Sequence, residues 1–332
     1  MTATSIKLPK KYPLESSPLF NLSSKKTLSE LLRVDYGLIC NFDASKVDGL
    51  YKNFLDKKTR RFINEPHGIL LNIHKRILIL LGRIIHPDYL HSAVKGRSYK
   101  TNALAHCGGG GVLKVDIKKF FPSIKFNRIH AFFSDVLHCS PDVSFILARL
   151  CSVQSGSARH LPTGSCISPL LSCLANRGLF DAIADMANDR KCTFTLYVDD
   201  MTISGEGADG DLLTAISKKI FSYGYGYHKI HVYRDGRALI TGLVVQDGKI
   251  YLPHSRAKKI FDLIKLMDVT KTCQKEALAS LVGRLSEAEQ IEGHYRVIRG
   301  AVLERYGPVW REVTADRSRA AHRAIARRRP RP

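Results

Sequence analysis

Residues 195–203 read Thr195-Leu196-Tyr197-Val198-Asp199-Asp200-Met201-Thr202-Ile203. Two adjacent carboxylates lie between two runs of aromatic, aliphatic and β-branched residues, a pattern that predicts a tight β-hairpin. Neighbouring carboxylates repel one another unless a cation is present, and hard divalent cations prefer oxygen ligands. The alternative is an acidic surface turn, because Asp is a favoured turn residue.

A third carboxylate, Asp116, lies near the end of another predicted strand. Its segment reads Val112-Leu113-Lys114-Val115-Asp116-Ile117-Lys118-Lys119-Phe120-Phe121-Pro122-Ser123-Ile124. Taken alone, Asp116 is an ordinary strand-end residue. Together with Asp199 and Asp200, it completes the set of carboxylates that two-metal phosphoryl transfer requires.

These segments resemble the palm motifs of reverse transcriptases. Residues 112–124 resemble motif A and residues 195–203 resemble motif C. A third segment resembles motif B and reads Leu161-Pro162-Thr163-Gly164-Ser165-Cys166-Ile167-Ser168-Pro169-Leu170-Leu171-Ser172. In this segment Thr163 occupies the position where the family usually has Gln. The resemblance implies an α+β right-hand polymerase fold, with fingers, a palm of antiparallel sheet packed on helices, and a helical thumb.

The resemblance also implies a metal site and a nucleotide site. Asp116, Asp199 and the carbonyl of Ile117 would hold two Mg²⁺ ions, or Mn²⁺ in their place, with Asp200 near or on the metals. Phe121 would exclude a 2′-hydroxyl from the incoming nucleotide, unless Phe120 and Phe121 are both core residues. The candidate nucleotide-binding residues are Lys95, Arg97, Phe121, Thr163, Gly164 and Lys229.

Two of these nucleotide-site assignments have open alternatives. The basic loop that contains Lys95, Arg97 and Lys100 is also compatible with a solvated surface loop. Lys229 stands where motif D supplies the proton for the leaving pyrophosphate, and His228 and His231 are rival candidates for that role.

Further segments resemble the retron branch of reverse transcriptases. They are Asn102-Ala-x-x-His106, Ile240-Thr241-Gly242-Leu243-Val244-Val245 and Gly283-Arg284. An Arg-rich tail follows these segments. Its positive charge predicts contact with RNA phosphates, and the alternative is a purely solubilising role. The candidate RNA- or template-binding residues are Asn102, His106, Pro162, Ser168, Thr241, Gly242, Arg284, Arg327, Arg328 and Arg329.

Composition points to a nucleic-acid partner. The 332 residues include 52 Lys and Arg against 30 Asp and Glu, a formal net charge of +22. Such an excess favours a polyanion, with nucleic acid ahead of an anionic membrane. No apolar run or signal pattern predicts membrane insertion or export, and the 8 cysteines lack zinc-ligand spacing, so we expect a cytoplasmic protein with reduced thiols.

The predicted domains follow the motifs in order. We expect a polar N-terminal extension (1–60) that is irregular apart from a helical segment at 27–33, interleaved fingers and palm (61–250), a helical thumb (251–310) and the basic tail (311–332). Helices are expected over 69–85, 127–138, 168–187 and 211–223, with Ser168 as the N-cap and Pro169 as the first residue of the third. The glycine run at 108–111 predicts a turn into the motif A strand and fits a phosphate-binding loop less well, because no Lys-Ser/Thr follows it.

The retron resemblance implies a specific activity. The enzyme would copy part of its own structured non-coding RNA from dNTPs into a branched RNA–DNA hybrid (msDNA), in anti-phage defence with an effector protein. One alternative is a group II-intron-like or other defence reverse transcriptase, although residues 311–332 leave no room for a maturase or endonuclease. The other is a non-catalytic RNA-binding scaffold, against which the intact acidic triplet argues.

Overall fold

The structure is a computed structural model that describes residues 11–234, 236–270 and 275–326, with side chains left undescribed at 269–270 and 320–326. It contains two compact units, Met1–Gly236 and Arg237–Pro332. Of the predicted RNA-binding residues, Arg327, Arg328 and Arg329 lie outside the described residues.

The segments that resemble motifs A and C lie on a four-stranded antiparallel sheet with the strand order β6 (Thr193–Tyr197), β7 (Asp200–Gly205), β3 (Gly111–Ile117) and β8 (Tyr227–Tyr233). Two separate hairpins, β1–β2 and β4–β5, complete its strands. The strands of this unit are β1 (Tyr51–Leu55), β2 (Phe62–Pro66), β3 (Gly111–Ile117), β4 (Val153–Ser155), β5 (Ala158–His160), β6 (Thr193–Tyr197), β7 (Asp200–Gly205) and β8 (Tyr227–Tyr233).

Helices surround this sheet and bury its apolar side chains in one core. They are α1 (Lys25–Leu32), α2 (Tyr36–Cys40), α3 (Ala44–Asp48), α4 (Gly68–Leu81), α5 (Tyr99–Leu104), α6 (Phe120–Ser123), α7 (Phe126–Ala131), α8 (Pro141–Leu150), α9 (Ser168–Ala175), α10 (Arg177–Asp189) and α11 (Gly210–Ser222). Helix α10 packs against β6 and α11, so the hairpin that contains the acidic pair rests on a helical layer.

The predicted elements differ from the observed ones in three places. The N-terminal stretch contains α2 and α3 besides α1, which matches the helical segment expected at 27–33, and Leu28 and Ile39 are fully buried in the core. The helix expected over 127–138 changes to a π-helix at Phe132–Val136. The helix after motif B ends at Ala175, because the Asn176 side chain bonds back to the Ser172 carbonyl and accepts from the Tyr225 hydroxyl.

The second unit consists of a small antiparallel sheet and helices with their own apolar core. Its elements are β9 (Arg237–Ile240), β10 (Leu243–Gln246), β11 (Lys249–Tyr251), α12 (His254–Thr270), α13 (Lys275–Ala288), α14 (Tyr295–Arg305) and α15 (Gly307–Ala326). The predicted helical content of this region is confirmed. None of the helices described in either unit is both long and apolar enough to cross a membrane.

Candidate active site

The acidic pair forms a strained turn between β6 and β7, as the sequence predicts. Tyr197 pairs with Asp200, so Val198 and Asp199 form the two-residue connection. Val198 has a φ of 63°, a left-handed conformation that a β-branched residue rarely adopts. The backbone N–H of Val198 donates a hydrogen bond to the Ser92 hydroxyl at 3.0 Å, which helps to hold the turn in place.

The strand register places the third carboxylate beside this turn. On β3, Asp116 pairs with Asp200 of β7 on one side and with Lys229 of β8 on the other. Directly paired residues share a face of the sheet, so Asp200, Asp116 and Lys229 form one row across three strands. The backbone N–H of Ile117 donates to the Asp199 carbonyl at 3.3 Å, which joins the end of β3 to the turn.

The electrostatics of the acidic turn and of Asp116 beside it favour a bound cation. Burial raises the pKa of Asp199 to about 6, and the negative charge of Asp116 adds to the rise. Burial also raises the pKa of Asp200, while the Lys114 ammonium, 3.1 Å from its Oδ2, opposes that rise. The other oxygen, Asp200 Oδ1, is buried and has no hydrogen-bond partner among the described residues.

The residues present fit a hard metal ion in their chemistry. Oxygen donors come from Asp116, Asp199, the Ile117 carbonyl and the unpartnered Asp200 Oδ1, and hard cations prefer such donors. Within the described part of the chain, no three His, Cys, Asp or Glu side chains are grouped closely enough to hold a metal ion by themselves. A metal at this turn would therefore depend on ligands from the substrate or on backbone oxygen as well.

Sequence reasoning missed one cation of this site, Arg61. Its positive charge acts on Asp199 and lowers the pKa of that carboxyl, against the larger effect of burial. Arg61 lies in the connection between β1 and β2, next to Phe62, the first residue of β2. The basic run Lys57-Lys58-Thr59-Arg60-Arg61 between two strand-like segments is the signal that could have identified it.

The β1–β2 hairpin also holds the motif B loop. The backbone N–H of Asn64 donates to the Thr163 carbonyl at 2.5 Å, and the Thr163 N–H donates to Asn64 Oδ1 at 3.3 Å. Gly164 has a φ of +115°, and a Cβ there would lie 2.7 Å from Ile63 Cγ2. Glycine is therefore required for hairpin and loop to approach this closely.

The same loop is tied down from its other side. The buried ring of His74 on α4 bonds Ser165 Oγ through Nδ1 and the Leu150 carbonyl through Nε2, each at 2.7 Å. Burial lowers the pKa of His74 to about 4, so the ring is neutral near pH 7. Nε2–H must then donate to the carbonyl, which leaves Nδ1 to accept from the Ser165 hydroxyl.

Ser168 differs from its predicted role as a helix cap. It is the first residue of α9, Ile167 is the N-cap, and the N-cap makes no side-chain bond. The buried Ser168 hydroxyl donates instead to the Pro162 carbonyl at 2.6 Å, which closes the loop upon itself. Since Ser168 and Pro162 are both buried, they shape the loop from inside, while Thr163 is half-buried and Gly164 is exposed.

The residues of the Asn102-Ala-x-x-His106 segment lie inside the fold. His106 is 2% exposed, and its ring bonds Ser204 Oγ and Thr195 Oγ1, each at 2.7 Å. Asn102 is fully buried on α5. Ser204 lies four residues along β7 from Asp200, on the same sheet face, so His106 supports the strands that carry the carboxylates.

Two of the cations in the basic loop before motif A, Arg97 and Lys95, lie in different environments. Arg97 donates to the carbonyls of Pro87, Asp88 and Leu90 and pairs with the Asp88 carboxylate at 2.8 Å. These bonds occupy its guanidinium in fixing the loop. Lys95 is exposed.

The double aromatic of motif A separates into two environments. Phe120 is 3% exposed and packs edge-on against Phe180 and Tyr225. Phe121 is only half-buried, with its ring centroid 6.0 Å from that of Phe120. One ring is therefore core and the other reaches the surface, as a side chain that contacts a nucleotide must.

In the second unit, Thr241 and Gly242 form the connection between β9 and β10, with Ile240 paired to Leu243. Both have positive φ, 44° and 80°, which is typical of a two-residue hairpin turn. Arg284 lies on α13, and its Nε is buried without a hydrogen-bond partner among the described residues. Both positions remain candidates for RNA contact.

Comparison with known proteins places the chain beside reverse transcriptases. No protein-family model matches it. A solved foamy viral protease–reverse transcriptase in complex with double-stranded DNA matches with a TM-score of 0.43 and 13% identity, over 85% of this chain and 45% of the viral one.

The curated relatives are more specific. The retron Se72 reverse transcriptase of Salmonella heidelberg (strain 579083-10) is 29% identical over 252 residues, 73% of this chain and 61% of the relative. The retron Mx65 reverse transcriptase of Myxococcus xanthus is 31% identical over 44% of this chain and 38% of its own. The retron Ec86 reverse transcriptase of Escherichia coli is 28% identical over 61% and 64%. The predicted resemblance to retron reverse transcriptases is confirmed, although the chain spans less than two thirds of these relatives' lengths.

Proposed function

We propose that the protein is an RNA-directed DNA polymerase. The observation that carries this proposal is the acidic turn, in which Asp199 and Asp200 meet Asp116 across adjacent strands. The raised pKa values of Asp199 and Asp200 mean that burying these carboxylates in the ionised form reduces the stability of the fold. Such a stability cost is typical of a functional site that binds a cation. The names of the retron reverse transcriptase relatives state the matching activity.

The reaction follows from the groups around the turn. The primer hydroxyl oxygen attacks the α-phosphorus of a dNTP, the bond from that phosphorus to the bridging oxygen breaks, and pyrophosphate leaves. Two Mg²⁺ ions, held by Asp116, Asp199 and the Ile117 carbonyl, would supply activation of the hydroxyl and neutralisation of the phosphates. Arg61 contributes positive charge near Asp199.

Other residues of this chain position the substrate. Lys229, which pairs with Asp116 across β3 and β8, would give a proton to the departing pyrophosphate. Phe121 provides the surface ring that leaves no room for a 2′-hydroxyl. The motif B loop, held by Asn64 and His74, lines the site with Thr163 and Gly164.

The finer biology is part of the same proposal. The retron names of the relatives support a structured non-coding RNA as template, a branched RNA–DNA product and a role in anti-phage defence with an effector protein, in the cytoplasm. The net charge of +22 supports a polyanionic partner of that kind.

One observation favours a second function, a non-catalytic RNA-binding scaffold. Lys114 already neutralises Asp200 at 3.1 Å, so part of the acidic charge is offset without a metal. A scaffold would keep the fold and its basic surface while making no DNA.

Primer extension separates the two functions. Purified protein is given an RNA template, a DNA primer, dNTPs and Mg²⁺, and products are resolved on a denaturing gel. We expect extension by the wild type and a loss of roughly a thousandfold in Asp116→Asn and Asp199→Asn, equivalent to about 4 kcal/mol of transition-state stabilisation. Asp185→Asn, an exposed position on α10, is the matched control and should extend normally. RNA binding without extension by the wild type would establish the scaffold.

A second experiment addresses the retron. The chain is expressed in bacteria with its adjacent upstream DNA, and extracted nucleic acid is treated with RNase and resolved on a denaturing gel. A discrete single-stranded DNA that still bears RNA, absent in Asp199→Asn, is the expected product. Extension of added primers without such a product would assign the enzyme to another branch of reverse transcriptases.

A further inference from the structure

A cavity in the first unit has none of the catalytic carboxylates in its lining. Its volume is about 470 Å³, which is within the usual range of ligand sites. One wall comes from α6, α7 and the connection between them, and the other from the segment between α11 and β8. The cavity is lined by Ser123, Lys125, Asn127, Arg128, Ala131, Tyr223, Gly224 and Tyr225.

The chemistry of this lining suits a phosphate group. Lys125 and Arg128 supply positive charge, the Asn127 amide supplies a neutral donor, and no lining residue is acidic. The Ser123 hydroxyl already donates to the Lys118 carbonyl at 3.2 Å. The Lys125 ammonium donates to the Pro122 carbonyl at 3.0 Å, which leaves two of its three protons for a ligand. Exposed Lys125 and Asn127 stand at the mouth of the cavity.

The wall opposite is pre-formed. The Arg128 guanidinium carbon lies 5.1 Å from the centroid of the Tyr223 ring, and the Lys219 ammonium lies 5.6 Å from the same centroid. Buried Tyr225 donates its hydroxyl to Asn176 Oδ1 at 2.6 Å, so it supports the wall without offering a group to a ligand. Arg128 is held by this ring and by a hydrogen bond to the Tyr225 hydroxyl, and no carboxylate among the lining residues neutralises its charge.

The cavity is connected to motif A through the backbone. The N–H of Lys118, two residues after Asp116, donates to the Gly226 carbonyl at 2.8 Å and links the end of β3 to the wall. We infer that this cavity binds a backbone phosphate of a nucleic-acid strand, outside the catalytic site. The inference rests on the proposed function only in taking a nucleic acid as partner.

Salt dependence of binding measures the contact. Binding of a single-stranded RNA oligonucleotide is titrated without dNTPs over a range of salt. Loss of one phosphate contact lowers the slope of log K against log salt by about 0.7, which is roughly fivefold in affinity near 0.1 M salt. We expect this change in Lys125→Gln/Arg128→Gln and in Lys125→Gln alone, whose exposed position leaves the fold intact. Lys26→Gln/Arg33→Gln, which removes the same charge from exposed positions on and after α1, is the control and should keep the wild-type slope.

Two further measurements complete the test. RNA containing 4-thiouridine should crosslink to peptides covering 118–131 or 219–227 in the wild type. Binding of AMP by calorimetry identifies a free nucleotide as the alternative source of phosphate. Slopes of the pocket variants equal to the control would overturn the inference, as would loss of AMP binding with an unchanged RNA slope. Primer extension is scored separately, so a protein that binds RNA through this cavity but makes no DNA would refute the polymerase and leave the cavity assignment standing.

Discussion

Neutralising Asp199 should stabilise the metal-free protein while abolishing its activity. The folded-state pKa of about 6, against an ordinary value of 3.8, means that the folded protein holds this proton more tightly than the unfolded chain. Stability is therefore lost as pH rises from 3.8 through 6, because the carboxylate must ionise in a buried site. A difference of roughly two pKa units corresponds to about 3 kcal/mol at pH 7.5.

Asp199→Asn removes that charge in a side chain of the same shape. Part of the gain is offset, because an amide oxygen accepts the backbone N–H at residue 199 more weakly than a carboxylate does. We expect a net gain of about 2 kcal/mol, or roughly 4–8 °C in the melting temperature of a unit of this size. The assay is differential scanning calorimetry in EDTA at pH 7.5 and at pH 5. The gap should narrow by about 1.4 kcal/mol at pH 5, because folded Asp199 is then largely protonated while the same carboxyl is still ionised in the unfolded chain.

Adding Mg²⁺ then completes the comparison. At ten times its dissociation constant, a bound ion stabilises the wild type by about 1.4 kcal/mol, and Asp199→Asn should show little of this increase. Asp185→Asn, the exposed control, should behave as wild type throughout. A melting temperature of Asp199→Asn equal to or below that of wild type at pH 7.5 in EDTA would refute the reasoning from buried charge.

Three other perturbations test separate parts of the site. Lys114→Met leaves the Asp200 carboxylate without its partner and should cost about 2 kcal/mol in urea unfolding at pH 8, with the loss disappearing as pH falls and that carboxyl protonates. Phe121→Val should raise ribonucleotide incorporation by roughly tenfold to a hundredfold in primer extension, whereas unchanged selectivity would place the ring outside the sugar pocket. Burial lowers the pKa of His74 to about 4 and that of His106 to about 3. The stability that these neutral rings contribute is therefore lost as pH falls below 6.5, the ordinary pKa of His. His106→Gln should reduce the slope of the unfolding free energy against pH by about 1.4 kcal/mol per pH unit in that range.

The sequence predicted the acidic hairpin because its signal is local. Strand-forming residues flank Asp199 and Asp200, and the turn between them needs no distant partner to be recognised. The helix expected over 69–85 was predicted for the same reason, from apolar spacing, and it is observed at Gly68–Leu81. The pairing of Asp116 with Asp200 depends on the strand order, which no local pattern of residues encodes.

Contacts between distant segments could not be predicted. Nothing in the residues around Arg97 shows that carbonyls 7 to 10 positions earlier engage its guanidinium, so it was assigned to the nucleotide. His106 was assigned to RNA, although its ring bonds side chains 89 and 98 positions away inside the fold. The sequence does not distinguish a buried His whose hydrogen bonds are satisfied within the fold from an exposed His that binds a ligand, so the role of a polar motif residue is ambiguous.

The two hydrogen bonds between Asn64 and Thr163, one to the Thr163 carbonyl and one to the Asn64 side chain, have a mechanical consequence. They join the hairpin that contains Arg61 to the loop that contains Gly164, so neither can shift far without breaking both bonds. A ligand that draws the Arg61 side of the hairpin inward must carry the loop with it. Substrate arrival and loop placement then become a single motion, and the amide protons of residues 64 and 163 should exchange with solvent at a common rate that slows when a nucleotide binds.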